Sequence, residues 1–175
     1  MTMSALAVLS LVLPLPWAFA VHDAEEIMLQ HRWMMAHRQR LAGRFPRLRP
    51  MLEHLSQLST RAFAVAALEE WAVLWCATAY VLVQGPWATA VWVALFMAFS
   101  IHLVIHVLQA VAVRGYVPGL VSSLLLAPYV WYGVWSIGLV MSVVEMVLLS
   151  VAGLLVAGAN LWLSHWLGIR LMGRA

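Results

Sequence analysis

Two histidines spaced four residues apart are the clearest candidates for chemistry in this sequence. His102 and His106 lie within a long apolar stretch, and this spacing places both imidazoles on one face of a helix, where they suit one metal ion or two adjacent ions. Gln109 continues the same face. Ionisable groups are costly within apolar membrane segments, so each of them calls for a functional explanation.

A second constellation combines one histidine with glutamates. His22 is followed by Glu25 and Glu26, and the i, i+3 and i, i+4 spacings put a nitrogen and one or two carboxylates on one side of a helix. Glu69 and Glu70 are neighbours in a later apolar segment. Because adjacent residues are about 100° apart on a helix, we expect only one of these two to point inward.

The inventory of three histidines with three or four glutamates is typical of a metal site. It suits a two-metal carboxylate–histidine centre, or one Zn²⁺ with a general base. A set without thiolates favours iron, manganese or zinc, so the predicted cofactor is iron or zinc, as one or two ions. The predicted ligands are His22, Glu25, Glu26, Glu69, Glu70, His102 and His106. The candidate catalytic bases are Glu25, Glu26 and Glu69. Supporting roles are assigned to Gln109, Asn160 and His165.

The composition indicates that membrane helices hold these residues. About 65% of the residues are hydrophobic and 10% are charged, whereas soluble domains are roughly half apolar and about a quarter charged. A spanning helix needs roughly 20 apolar residues. Five segments meet this requirement: 1–21, 62–83, 87–113, 117–136 and 137–167. The predicted fold is therefore a single all-α membrane domain, a bundle of about five transmembrane helices. Because Pro128 lies inside the fourth segment, whether that segment spans fully stays open.

The arginines orient this predicted bundle. All ten basic residues are arginines, and five spans place them on one side: in the polar segment 22–61, at Arg114 and in the C-terminal tail. By the positive-inside rule this side is the cytoplasm, which puts the N-terminus outside a bacterial inner membrane. A cleaved signal peptide is the alternative for the first segment, but it would carry the arginines of the polar segment across the membrane. Within that segment, residues 23–41 predict an interfacial amphipathic helix.

The candidate ligands share one depth in this arrangement. They lie at the cytoplasmic end of the first predicted span and within the second and third, yet all fall in the cytoplasmic half of the bilayer, as do Asn160 and His165 of the fifth. Among these polar residues of the spans, only Glu145 belongs to the opposite half. Helices in a bundle can bring such groups to one interior site only if their depths match. The sequence therefore predicts a single polar site just beneath the cytoplasmic surface.

The His-Asp-Ala-Glu-Glu stretch at 22–26 resembles the signature of the HXXEE domain, a group of small bacterial membrane proteins named for this motif. In that family the motif is followed by an intramembrane glutamate, paired histidines and a Tyr-x-Pro-Gly turn. The same order occurs here, with Glu69 or Glu70, then His102 and His106, then the Tyr-Val-Pro-Gly sequence at 116–119. The resemblance runs from the first to the fourth predicted span. It implies a metal-dependent membrane enzyme and assigns neither reaction nor substrate.

Three classes of function are compatible with this pattern. The first is a metalloenzyme acting on a membrane lipid or another hydrophobic small molecule, either by hydrolysis with zinc-bound water or by di-iron oxygen chemistry. The second is a binding protein without turnover, such as an accessory subunit or a haem protein in which His22 pairs with His102 or His106. The third is a small ion-coupled transporter. Nucleic acid is not an expected partner, because clustered arginines in a membrane chain set its orientation. The oligomeric state stays open.

Overall fold

The computed structural model of the protein describes residues 8–173, and every regular element in that part of the chain is helical. Two minor turns, Val8–Val12 and Pro46–Leu48, accompany six α-helices. The helices are α1 (Pro14–Arg44), α2 (Arg49–Ser56), α3 (Thr60–Leu82), α4 (Ala88–Val113), α5 (Leu120–Gly138) and α6 (Val143–Met172). The predicted all-α helical bundle is confirmed.

Four helices, α3 to α6, are long and apolar enough to cross a membrane within the described residues. They correspond to the second to fifth predicted spans. Their outer faces carry large apolar side chains, including Trp131 and Leu155, which are 78% and 70% exposed. In water such a surface would drive association, so lipid is its natural solvent. The protein is therefore a membrane protein. The first predicted span, 1–21, begins outside the described residues.

α1 differs from the sequence prediction because it is continuous. A single helix of 31 residues joins the end of the first apolar segment to the predicted interfacial helix at 23–41. Two prolines, Pro14 and Pro16, lie in its first turn, where a missing backbone N–H leaves no hydrogen bond unmade. Nothing between Val21 and Asp23 breaks a helix. The change from apolar to polar side chains therefore alters what surrounds the helix and leaves its backbone hydrogen bonds intact. The 22–26 motif consequently sits inside a rigid helix.

α5 is also continuous, running through Pro128. Its 19 residues give a length of about 28 Å, close to the roughly 30 Å of a bilayer core. Gly119 precedes the helix, and its φ of +84° ends the 116–119 turn in a conformation that favours glycine.

α6 packs against α3 and α4 through glycines. A Cβ atom at Gly153 would lie 2.0 Å from the carbonyl oxygen of Ala94, and one at Gly168 would lie 2.2 Å from that of Ala62. Such small-residue contacts let backbones approach closely, as is common between membrane helices. A buried apolar cluster that includes Trp92, Phe96 and Phe99 fills the bundle beside this contact.

Candidate metal centre

Four side chains from α1 and α4 meet inside the bundle. The Nε2 atom of His102 lies 3.1 Å from Nε2 of His22 and 3.0 Å from Nε2 of His106. Glu26 places one carboxylate oxygen 3.5 Å from Nε2 of His106 and the other 3.8 and 3.9 Å from Nε2 of His22 and His102. All four residues offer donor atoms within 4.8 Å of one another.

This spacing fits one metal ion better than a set of hydrogen bonds. Nitrogens bound at about 2.0–2.1 Å to one ion lie roughly 2.9–3.4 Å apart. Nε2 of His102 faces two other ring nitrogens, and a neutral ring nitrogen carries either one proton or one lone pair. It therefore makes a regular hydrogen bond with only one of them, whereas a single cation accepts the lone pairs of all three.

The site is buried on one side and open on the other. The side chain of His22 is fully buried, and those of His106 and Glu26 are 7% and 11% exposed. The side chain of His102, by contrast, is 42% exposed. An ion held by these four residues would be shielded by α1 and by the end of α4, and approached past His102.

The proton on His22 is positioned by a serine and a glutamate. Nδ1 of His22 lies 3.0 Å from Oγ of Ser122, and that hydroxyl donates a hydrogen bond of 2.6 Å to the carboxylate of Glu25. Because the hydroxyl proton is directed to Glu25, its oxygen accepts from Nδ1–H of His22. This tautomer leaves the Nε2 lone pair free and directed into the cluster, as in metal sites whose ligands are oriented by outer partners.

Glu25 itself joins α1 to the start of α5. Its carboxylate accepts hydrogen bonds from the backbone N–H of Ser122 at 2.7 Å and of Val121 at 3.3 Å, and from the hydroxyl of Tyr116. Helix N-termini have unpaired N–H groups and a positive dipole end, so a carboxylate is stabilised there. Partial burial, and next the hydrogen bond to Glu25, raise the pKa of Tyr116 above its ordinary value.

The 116–119 turn packs directly on two of the clustered imidazoles. A Cβ atom at Gly119 would lie 2.7 Å from Nδ1 of His106 and 2.9 Å from Cε1 of His22. The buried Nδ1 of His106 faces the backbone carbonyl of Pro118, in a geometry looser than a regular hydrogen bond. The turn therefore forms the wall behind the cluster.

A family model described as "Protein of unknown function with HXXEE motif" matches residues 13–133. The chain belongs to the HXXEE family. This confirms the resemblance seen in the sequence, and the matched region contains the four clustered residues, Glu25 and the 116–119 turn. Searches of curated proteins and of solved structures gave no match.

Beyond the four clustered residues, the HXXEE protein places its other predicted ligands elsewhere. Glu25 binds the start of α5, as described above. Glu69 accepts a hydrogen bond of 2.9 Å from the amide of Asn160, and Glu70 accepts one of 2.8 Å from the hydroxyl of Ser164. These two glutamates join α3 to α6, and of the two, Glu70 borders the cavity described next.

A cavity of about 300 Å³ lies beside the cluster and reaches Glu26 and His102. Side chains of α1, α3, α4 and α6 line it, and most of them are apolar. The polar lining comprises Asp23, Glu26, Glu70, His102, Asn160 and His165. An ion in the cluster would therefore face a largely apolar chamber.

Two of the predicted supporting residues, His165 and Asn160, lie beside this cavity, and one lies away from it. Nδ1 of His165 is 3.3 Å from Nε2 of His54, so α6 contacts α2 there. Gln109 is exposed on α4.

Asp23 is the residue that sequence reasoning missed at this site. It is 7% exposed and borders the cavity. The available signal was its i, i+3 spacing from Glu26, which places the two carboxylates on neighbouring parts of one helix surface.

Proposed function

We propose that this HXXEE protein is a membrane-embedded metal-dependent enzyme in which His22, Glu26, His102 and His106 hold one transition-metal ion. The observation that carries the proposal is the approach of Nε2 of His102 to two other imidazole nitrogens at 3.0 and 3.1 Å. The fixed tautomer of His22 supports it, because the free lone pair points at the same position.

The donor set limits which metal ions and which reactions the site suits. Three imidazoles and one carboxylate suit iron, manganese or zinc, and four protein ligands leave a position for substrate or water on a five- or six-coordinate ion. Bound zinc would supply a nucleophilic water, and bound iron would supply oxygen activation. The Glu26 oxygens lie 3.5–3.9 Å from the histidine nitrogens, farther than Nε2 of His102 lies from those of His22 and His106. Glu26 therefore also suits a base that takes a proton from a bound water.

The cavity suggests that the substrate is hydrophobic and arrives from the bilayer. Its lining includes Ile105, Val156 and Leu161, which are also exposed on the outer surface of α4 and α6. In a membrane this surface faces lipid, so a substrate can enter sideways without crossing water. We propose a lipid or another hydrophobic molecule as the substrate class.

The proposed orientation places the site in the cytoplasmic half of a bacterial inner membrane. Arg44 donates a hydrogen bond to the carbonyl of Val113, so the C-terminal ends of α1 and α4 meet beside Arg114. His106 lies about two turns before Arg114 on α4. A basic end is retained in the cytoplasm by the positive-inside rule, which leaves the N-terminus outside.

A bis-histidine haem site is a poorer fit to the same residues. Two axial nitrogens must lie about 4 Å apart, twice a metal–nitrogen bond of about 2 Å, with the macrocycle between them. The nitrogen of His102 is 3.1 Å from that of His22 and 3.0 Å from that of His106. His22 and His102 are therefore too close, and the ring of His102 occupies the space that a macrocycle between His22 and His106 would need.

The test is the metal content of the purified protein. We expect about one transition-metal ion per chain in the wild type and the loss of most of it in the double variant His102→Ala with His106→Ala. The matched control is His31→Ala with His37→Ala, because those imidazoles hydrogen-bond to backbone carbonyls outside the cluster, and His37 stacks on Trp33. Full metal content in the first double variant, or a folded wild type without metal, would refute the site.

A further inference from the structure

Asp23 is a buried carboxylate without a partner in the described part of the chain. It is 7% exposed, it borders the cavity, and no hydrogen-bond donor or arginine of residues 8–173 reaches it. Its charged neighbours are two further carboxylates, those of Glu26 and Glu70. A buried carboxylate normally needs a donor or a cation, because its desolvation is otherwise uncompensated.

The ionisable groups that line the cavity are mostly carboxylic acids. Asp23, Glu26 and Glu70 all line it, and none of the arginines at described positions does so. Glu70 has one donor, the hydroxyl of Ser164. When all three acids are ionised, a divalent ion in the cluster balances two of the charges, and a monovalent cation in the cavity balances the third.

The size of the cavity limits what can carry that cation. About 300 Å³ lies at the lower end of ligand pockets, which range over roughly 300–1,000 Å³. It accommodates one hydrocarbon chain in its apolar part, near Phe19, Leu95 and Phe99. The phosphate of a phospholipid would meet three carboxylic acids there and none of the arginines at described positions.

Resting on the proposed function, we infer that the substrate is a single-chain amphiphile with a cationic amine head group. The amine lies between Asp23 and Glu70, and the chain fills the apolar part of the cavity. Fatty acids and anionic lipids are disfavoured, because the described lining offers an anion no arginine and its ionised carboxylates repel it.

The experiment compares probes of equal chain length in phosphatidylcholine nanodiscs. Dodecylamine, dodecanol and dodecanoate are titrated while unfolding is followed through the fluorescence of the ten tryptophans. We expect dodecylamine to stabilise the wild type at a concentration about tenfold lower than dodecanol, and dodecanoate to have no effect. Asp23→Asn should remove this preference. Glu53→Gln neutralises an exposed acid on α2 and should keep the preference for dodecylamine. It is the control for uptake of the probes by the lipid, which is the same for both variants.

Other outcomes decide against the inference. Equal stabilisation by the three probes overturns it, as does an unchanged preference in Asp23→Asn. Should Asp23→Asn fail to fold, Glu70→Gln takes its place with the same expected loss. Two ions per chain, one of them lost in Asp23→Asn, would make Asp23 a metal ligand and also overturn it. Metal content is measured on the same samples, so an amine preference in protein without metal refutes the enzyme proposal and leaves the ligand class standing.

Discussion

His22 and Ser122 are separated by 100 residues and joined by one hydrogen bond, of 3.0 Å, between the imidazole Nδ1 and the hydroxyl oxygen. The bond connects the 22–26 motif to the first turn of α5. Ser122 also donates to Glu25, so two residues of the motif meet the same serine. The two glutamates of the motif therefore have different tasks: Glu26 reaches the cluster, and Glu25 fixes the helix that orients His22.

Removal of the Glu25 carboxylate should weaken metal binding without removing a ligand. In Glu25→Gln the amide accepts fewer hydrogen bonds from the start of α5, and the Ser122 hydroxyl is free to reorient toward His22. Loss of such an outer partner typically lowers metal affinity about 10–100-fold. Competition with a chromogenic chelator measures the effect. The control is Glu53→Gln, which should bind metal like the wild type, and equal affinity in the two variants would contradict this role for Glu25.

Substitution of Gly119 should displace the imidazole of His106, which packs against the 116–119 turn. In Gly119→Ala the new Cβ would lie 2.7 Å from Nδ1 of His106, and the φ of +84° is unfavourable for alanine. Backbone strain of this kind costs about 1–3 kcal/mol, and displacement of the imidazole adds to it. We expect a lower melting temperature together with weaker metal binding. Gly115→Ala is the matched control, because no atom of the described residues lies within 4 Å of its Cβ position.

Removal of the proposed metal ion should destabilise the folded protein. A ligand that binds only the native state stabilises it by about 2.7 kcal/mol at 100 times its dissociation constant. Dialysis against a chelator should therefore lower the melting temperature, and addition of the ion should restore it. The double variant His102→Ala with His106→Ala should show no response to either treatment. A response of normal size in that variant would place the stabilising metal elsewhere.

The existence of α3 to α6 was predictable because their signals are local, although the fifth predicted span begins at 137 whereas α6 begins at Val143. Segments 62–83 and 87–113 agree closely with Thr60–Leu82 and Ala88–Val113, since long apolar runs end at Gly85 and Pro86. The continuity of α1 was not predicted. Hydropathy changes near His22, but hydropathy reports the surroundings of a helix, and only a residue that breaks backbone hydrogen bonds ends it.

Part of the site was predictable for the same reason, since helical spacing alone places His102 beside His106. The different roles of Glu25 and Glu26 were not predictable in this way. Glu25 and Glu26 are about 100° apart on α1, and which of them meets α4 depends on how α1 crosses α4 and α5. The absence of a partner for Asp23 likewise depends on which elements surround it. Residue spacing does not show that the arginines lie away from the cavity.

Overpacking the contact between α6 and α4 should destabilise the fold without touching the cluster. In Gly153→Ala the added methyl would lie 2.0 Å from the carbonyl oxygen of Ala94, so α6 must move away from α4. Overpacking of this kind costs about 1–3 kcal/mol. Gly158→Ala is the matched control on the same helix, because among the described residues nothing lies within 4 Å of its Cβ position. Thermal unfolding of the two variants in nanodiscs measures the difference. We expect a lower melting temperature in Gly153→Ala alone, with its metal content retained because no clustered residue belongs to α6; equal stability of the two variants would contradict the close contact between α6 and α4.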